Sequence, residues 1–592
     1  MALEIAGLVL GAVSALAALR GALDTALLID SYFDEEKSDC GYLALRYHVQ
    51  KTRMDLWRQV YKIDDPSTCP LRHKPEVVQK LVVQILGQIT QLFDDSKKLV
   101  KRHQISTQEL PPAGAGGVSH SQDTIKALSK LRIKPMAKFR WTIKGKAEFE
   151  EKVLRISTLV DDLQGFTIDA SELRSLERAL PSMSLKSVAN AEMLQTLHDS
   201  QAESNVCLAT SAKVKLLRKK TTHPLDGSVT VITNDQLRFL KDSSTLGTLR
   251  LPSAGFRPVW IEWCIISEGA AAPEYIRRIK ALGYLLEQAG NPALRLPVCY
   301  GIFDDLAHEA KFGARRIGYV FGAPHAGGHH PASASASTSA SASAMTVPRP
   351  PPCPSYDGNF RDHPPRTLSD LIRDAKSFPV PLLGDRFALA VALATAFGNF
   401  HSAGWLHKGF HSGSIAFLAH APTTTTRGEG EEGVTAAIRI TDPFVTGFQY
   451  ARPAGAHSLS RGPLEDGALE HYYHPAADKG FSRRLDLYSL GVVLCEVGRW
   501  GLVAATVSEG TRRRMVDRAA WRNYMVTRVL ADIGWRMGAM YQSAVRTLLE
   551  CRLPDDDGDN DDDDDDDDGD HGGFFEQEYF EKVIRPLSAC SA

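Results

Sequence analysis

The 592-residue chain contains no Cys-x-x-Cys pair; its nine cysteines are odd in number and widely scattered. That speaks against a disulfide framework and against a zinc site, and it fits a reducing, intracellular setting. No apolar run is long enough for an ordinary transmembrane helix. The nearest is residues 5–19, uncharged and bounded by Glu4 and Arg20. A secretory leader would carry a basic residue ahead of that run, where Glu4 stands, although Ala15-Leu-Ala17 could imitate a cleavage site. The expected location is cytoplasmic, with recruitment to the plasma membrane as a second state. Charge is balanced overall at −2, but residues 555–570 hold 13 aspartates and no basic residue, so the rest of the chain is net +11. An aspartate run of this kind is a solvated low-complexity segment, because a calcium site needs its carboxylates fixed in a turn.

Apolar content of 43% and charged content of 24% are ordinary for a globular protein, and the length calls for two or more domains. The first third reads as helices. Residues 3–32 are apolar on nearly all faces until Asp24, as in a helix that is buried in a bundle or able to enter a membrane. Leu45, Val49, Leu56 and Val60 share one face of a second helix. Val82, Ile85, Ile89 and Leu92 form the seam of a third, and Phe149, Val153, Ile156, Val160 and Leu163 repeat that spacing. A last helix is predicted from Glu172 to about His198, broken near Pro181.

The opening Ile5-Ala-Gly-Leu-Val-Leu-Gly-Ala-Val-Ser-Ala-Leu-Ala-Ala-Leu19, the helix containing Trp57, and Lys138-Phe-Arg-Trp-Thr-Ile-Lys-Gly-Lys-Ala-Glu-Phe149 together resemble the fungal HeLo domain, or prion-inhibition and propagation domain. The resemblance implies an all-helical bundle whose first helix can be released to disrupt membranes, in regulated cell death or heterokaryon incompatibility. Leu8, Leu10, Val13, Leu16 and Leu19 are the membrane-active candidates. A bundle acting only as an interaction module is the competing expectation. Lys213, Lys215, Arg218, Lys219 and Lys220 follow; they read as a solvated linker, or as cations that favour anionic lipid.

From residue 229 the pattern becomes mixed. Val229-Thr-Val-Ile-Thr233, Arg257-Pro-Val-Trp-Ile-Glu-Trp-Cys-Ile-Ile266 and Arg316-Ile-Gly-Tyr-Val-Phe321 have strand composition, and residues 275–288 read as a helix. Residues 325–354 are Ala/Ser- and Pro-rich and cannot build a core. Further on come His401-Ser-Ala-Gly-Trp-Leu-His-Lys-Gly-Phe-His-Ser-Gly-Ser414, Gly447-Phe-Gln-Tyr-Ala-Arg452 and Asp486-Leu-Tyr-Ser-Leu-Gly-Val-Val-Leu494.

Their joint order resembles the protein-kinase-like domain found behind HeLo domains in filamentous fungi. The resemblance places Gly409 at the catalytic aspartate, five residues after it Ser414 at the magnesium-binding asparagine, and Gly447 at the second magnesium-binding aspartate, with His407 retained. Asp442 is the alternative for that aspartate and leaves a metal open there; otherwise none is expected. No lysine lies between Lys241 and Lys280, where the phosphate-gripping lysine belongs, and Glu262 or Cys264 stands near its position. No Gly-x-Gly-x-x-Gly covers the phosphates. Asp486 and Gly491 match structural positions of the kinase fold, and Ala476 lacks the carboxylate that closes the activation segment. Histidines 401, 407 and 411 have no carboxylate partner in the sequence pattern and read as structural.

The expected fold is multidomain, an all-α HeLo-like bundle followed by an α+β bilobal kinase-like domain. Its parts are residues 1–200, a basic linker at 201–228, the kinase-like domain at 229–553 with disordered insertions at 322–366 and 422–433, an acidic segment at 554–573 and a tail at 574–592. The function expected is a pseudokinase regulator coupled to a membrane-disrupting bundle. A non-enzymatic scaffold and a divergent active kinase stand beside it. No cofactor is expected, with ATP and magnesium disfavoured. Expected partners are further copies of the chain, an unidentified activating protein and anionic membrane lipid, but not nucleic acid.

Overall fold

The computed structural model describes residues 41–62, 69–103, 143–186, 188, 191–202, 205–221, 229–252, 255–266, 272–291, 294–324, 356–421, 437–453, 469–478, 481–512, 517–554 and 573–592. The opening stretch with Leu8, Leu10, Val13, Leu16 and Leu19, the 138–142 segment, the Ala/Ser and 422–433 insertions and the aspartate run lie outside them. The described chain falls into two compact units, one ending before Asn205 and one beginning there.

The first unit is all-helical: α1 Gly41–Val60, α2 Glu76–His103, α3 Ile143–Thr167, α4 Ala170–Lys186 and α5 Ala191–Gln201. Helix α1 packs against α3, α4 and α5, and α2 packs on α3. The apolar periods explain this, since Leu45, Leu56, Val82, Ile89, Phe149, Ile156, Val160 and Leu163 are all buried. Tyr47 sets its ring edge-on to Phe93 at 5.3 Å, and the Trp57 indole donates to Thr167 Oγ1 at 2.8 Å. The predicted break near Pro181 is not there: α4 runs through it to Lys186. Proline removes one helical N–H, but Ala179, Leu180 and Leu185 around it are buried, and that tertiary packing wins.

The second unit begins with α6, Val206–Thr221. This stretch was expected as a solvated basic linker. Counting its cations overlooks Leu208, Ala212 and Leu216, four apart, which are buried together with Ala209 and Leu217. A six-stranded sheet follows, made of β1 Val231–Ile232, β2 Leu237–Phe239, β3 Leu246–Leu251, β4 Gly255–Ile266, β5 Val298–Asp304 and β6 Arg315–Gly322. The strand order is β1-β5-β6-β4-β3-β2, antiparallel except for the short parallel β1/β5 edge. Helix α7, Ala272–Ala289, connects β4 to β5 and packs on β5 with α6 against it. Alternation sorts β4: Val259 and Ile261 join Leu237, Leu249, Phe303 and Val320 on one face. Trp260, Glu262 and Cys264 take the other, in register with Phe321, Tyr319 and Ile317 of β6.

The remainder is mainly helical: α8 Leu383–Ser402, α9 Arg483–Arg499, α10 Arg518–Tyr524, α11 Leu530–Leu549, α12 Gly573–Tyr579 and α13 Arg585–Ser588. Every residue of α9 from Leu485 to Gly498 is buried, so it is the central strut of this half. The residues expected as a C-terminal tail are folded onto α8 and α11: Tyr579 donates to Ala394 O of α8 at 2.8 Å, and Phe580, Val583 and Leu587 are buried. Residues 356–366, expected within a disordered insertion, are also folded, because Phe360 buries its ring 5.9 Å from Trp260. Among the described residues no helix is long and apolar enough to cross a membrane.

Candidate functional site

A cleft of about 380 Å³ in the second unit is lined by β3 and β4, by the loop around Ser414 and by the 446–449 segment. It gathers Glu262, Ser414 and Gly447, which lie far apart in sequence. Among the described residues neither lysine nor arginine lines it. Trp260, two residues before Glu262 on the same strand face, also lines it and packs against Phe321 at 5.7 Å and Phe360 at 5.9 Å.

Glu262 points into the cleft and accepts the Gly447 N–H at 2.7 Å. Burial pushes its carboxyl above the ordinary value, while hydrogen bonds from Gly447, Trp260, Thr446 and Phe448 pull the other way. Gly447 has φ +76°, and a Cβ there would stand 2.6 Å from Ser414 Oγ. Ser414 Oγ in turn donates to Gly409 O at 3.2 Å, and the Thr446 N–H donates to Ser414 O at 2.9 Å. Positions 409 and 414 are therefore joined by a hydrogen bond, and 447 lies against 414 so closely that shape requires a glycine there.

Beneath the cleft, His407 is fully buried. Its Nε2 donates to Thr446 O at 2.8 Å, and its Nδ1 accepts the Gly409 N–H at 3.3 Å. That tautomer is neutral, consistent with burial lowering the His407 pKa. Asp486, on the first turn of α9, accepts the backbone N–H groups of His407 at 2.8 Å and Lys408 at 3.0 Å, and the ring of His401 at 2.9 Å. Burial alone would raise its pKa; the bond from His401 and the neighbouring histidines and amide more than offset that and hold it low. The three donors explain how a carboxylate can be buried here. Gly491, one and a half turns further along α9, lets Leu548 and Leu549 of α11 approach, since a Cβ would meet Leu548 at 3.0 Å.

Asp442 is turned away from this cluster. Its carboxylate takes Arg295 at 2.5 Å on one oxygen and the Tyr356 hydroxyl on the other, with His420 at 3.6 Å. These partners satisfy the carboxylate without a metal. Among the described residues no three metal-ligating side chains cluster, and His401, His407 and His411 make separate contacts.

Sequence inspection missed a second buried acid on α9. Glu496 accepts both the Ser412 hydroxyl and the Tyr472 hydroxyl, the latter at 2.9 Å, and the Val503 N–H at 3.0 Å. Its carboxyl is pushed up to about 7 by burial, against those hydrogen bonds. A glutamate inside the run Val-Val-Leu-Cys-Glu-Val was the available signal, since a charge within a helix apolar on all sides needs partners. The chain thus has a cleft that can enclose a small neutral or cationic molecule and is poorly furnished for a polyanion.

No curated protein matches the chain. Residues 7–197 match the family model described as HeLo, prion-inhibition and propagation. They therefore form an N-terminal HeLo domain, followed by a mixed α+β region.

Proposed function

We propose that the chain is a two-part signalling effector in which a kinase-like module without phosphoryl-transfer chemistry governs a membrane-disrupting HeLo bundle. The observation that carries this reading is the Glu262–Gly447 hydrogen bond. Phosphoryl transfer needs cations over the phosphates and carboxylates to hold magnesium. Here Glu262 faces the cleft from the strand beside Trp260, and glycines stand at 409 and 447, the positions that the resemblance assigns to the two aspartates. Support for the kinase-like frame comes from the sheet: after the β1 edge, the strands run in order β2-β3-β4-β6-β5 with a helix between β4 and β5, the layout of a kinase small lobe. The buried Asp486 on the amides of His407 and Lys408 is the anchoring role the sequence resemblance assigns to that residue.

On this reading a partner protein or a modification shifts the equilibrium that restrains residues 3–19, and self-association supplies the multivalency a single short helix lacks. Fungal regulated cell death or heterokaryon incompatibility is the setting the HeLo match favours.

Two measurements test it. Magnesium-ATP is expected to leave the melting temperature of the full chain unchanged and to transfer no phosphate; saturable stabilisation with transfer would replace the reading by an active kinase. Dye release from anionic vesicles is expected from residues 1–204 and not from the full chain. Release by neither, with helicity intact, would leave a scaffold. The cut falls at 204 because α6 belongs to the second unit.

A further inference from the structure

Away from the cleft, the first turn of α9, the helix α10 and the short turn at Pro475–Asp478 meet around His474. Three arginines surround it. Arg484 lies one turn before Tyr488 on α9, and Arg518 and Arg522 are four apart on one face of α10. All three are partly buried. Arg518 reaches His474 O at 3.5 Å and Glu470 at 3.7 Å, and Arg522 uses its Nε on Leu549 O at 3.1 Å. Arg522 makes no other hydrogen bond or ion pair with the described residues, so both of its Nη groups remain available.

His474 is built to donate. Its Nδ1 accepts the Ala476 N–H at 3.1 Å, which leaves the ring proton on Nε2, and no described group accepts it. Burial together with the charges of Arg522, Arg484 and Arg518 pushes its pKa down to about 4, so it is neutral at physiological pH. Against its ring stands Tyr488, edge-on at 5.3 Å. The Tyr488 side chain is fully buried and its hydroxyl has no hydrogen-bond partner among the described residues. A buried hydroxyl left unpaired is unfavourable, and such groups in folded proteins ordinarily have a hydrogen-bond partner. Arg522 is also the cation whose charge acts on that hydroxyl.

We propose that this cluster is a binding site for a phosphate dianion or phosphate monoester. Four donors serve one anion: the two Nη groups of Arg522, the His474 Nε2–H and the Tyr488 hydroxyl. Arg484 and Arg518 add charge. A guanidinium fork matches two oxygens of a tetrahedral phosphate, and a neutral histidine and a phenol suit the others. A carboxylate has two oxygens to offer these four donors, whereas a phosphate monoester has three and carries up to two charges. The site is independent of the cleft and of any nucleotide chemistry there.

The test uses the full-length chain with inorganic phosphate as probe, at neutral pH and with ionic strength held constant by chloride, read by thermal unfolding and phosphorus NMR line broadening. Saturable binding is expected. Arg522→Gln should weaken it by about tenfold or more, the loss of a charge-assisted pair. Tyr488→Phe guards against misfolding, because it removes a hydroxyl that has no partner among the described residues; it should weaken binding several-fold without lowering the melting temperature in chloride. Arg277→Gln, on the exposed face of α7, should change nothing. A short phosphoserine peptide binding more tightly than inorganic phosphate at the Arg522-dependent site would assign the ligand to a phosphorylated side chain, and equal binding would assign it to free phosphate. A response that does not saturate, or that survives both Arg522→Gln and Tyr488→Phe, would overturn the proposal.

Discussion

Glu262 and Gly447 are 185 residues apart and joined by one hydrogen bond of 2.7 Å. The bond fastens the middle of β4 to the segment that follows Phe444–Val445, and the donor is a backbone amide that no substitution at 447 can delete except proline. The acceptor is the vulnerable partner.

Glu262→Lys should therefore destabilise the second unit. The substitution aims an ammonium at the Gly447 and Phe448 amides, and leaving such donors unpaired is unfavourable by roughly 1–3 kcal/mol each. A fall in the urea midpoint is expected, with no gain of magnesium-ATP binding. Recovered ATP binding in this single variant would mean that the cleft is closer to nucleotide chemistry than its other residues suggest.

Restoring an aspartate at 447 should fail for a different reason. The φ of +76° disfavours any L side chain, and the Cβ would press on Ser414 Oγ at 2.6 Å. Gly447→Asp and Gly447→Ala should both lower stability, by about 1–3 kcal/mol for the backbone alone. Equal losses would locate the penalty in the Cβ rather than in the charge, and unfolding curves of the two variants decide it.

The stability of the chain should depend on Glu496 through pH. Its carboxyl titrates near 7 in the folded state and near 4.5 when exposed. Below about pH 4.5 both states hold the proton and the group is neutral to stability. As pH rises toward 7 the unfolded state loses its proton first, so stability falls across that window and then levels off. Over the full window the change is on the order of 3 kcal/mol, at about 1.4 kcal/mol per unit. Glu496→Gln should lose that slope between pH 4.5 and 7, read from melting temperatures of both proteins across the range; parallel curves would refute the assignment.

Removal of the last helical segment should unfold more than a tail would. Tyr579→Ala deletes a ring that packs on Gly398 and a hydroxyl bonded to Ala394 O. A loss of about 3–5 kcal/mol is expected for a large buried aromatic. An unchanged melting temperature would return residues 573–592 to the status of an appendage.

The sequence disclosed most where one face of an element is apolar and the other is not. The spacing of Val82, Ile85, Ile89 and Leu92, or of Phe149 through Leu163, is a direct image of burial. It disclosed least where charge masked that period. The lysines of α6 drew attention from Leu208, Ala212 and Leu216, and the aspartate run made the helices behind it look like a tail. The meeting of Glu262 with Gly447, or of His474 with Arg522, depends on the way several elements cross, and no local pattern encodes such long-range pairs.

Helix α9 carries Asp486 and Glu496, and both hold the same stretch of chain, at 407–408 and at 412. The two fastenings differ in kind. The first is a carboxylate kept ionised by its donors, and the second is poised near neutrality. The loop between them is therefore tied at both ends to one helix, so that any shift of α9 along its axis would carry both ends of the loop with it.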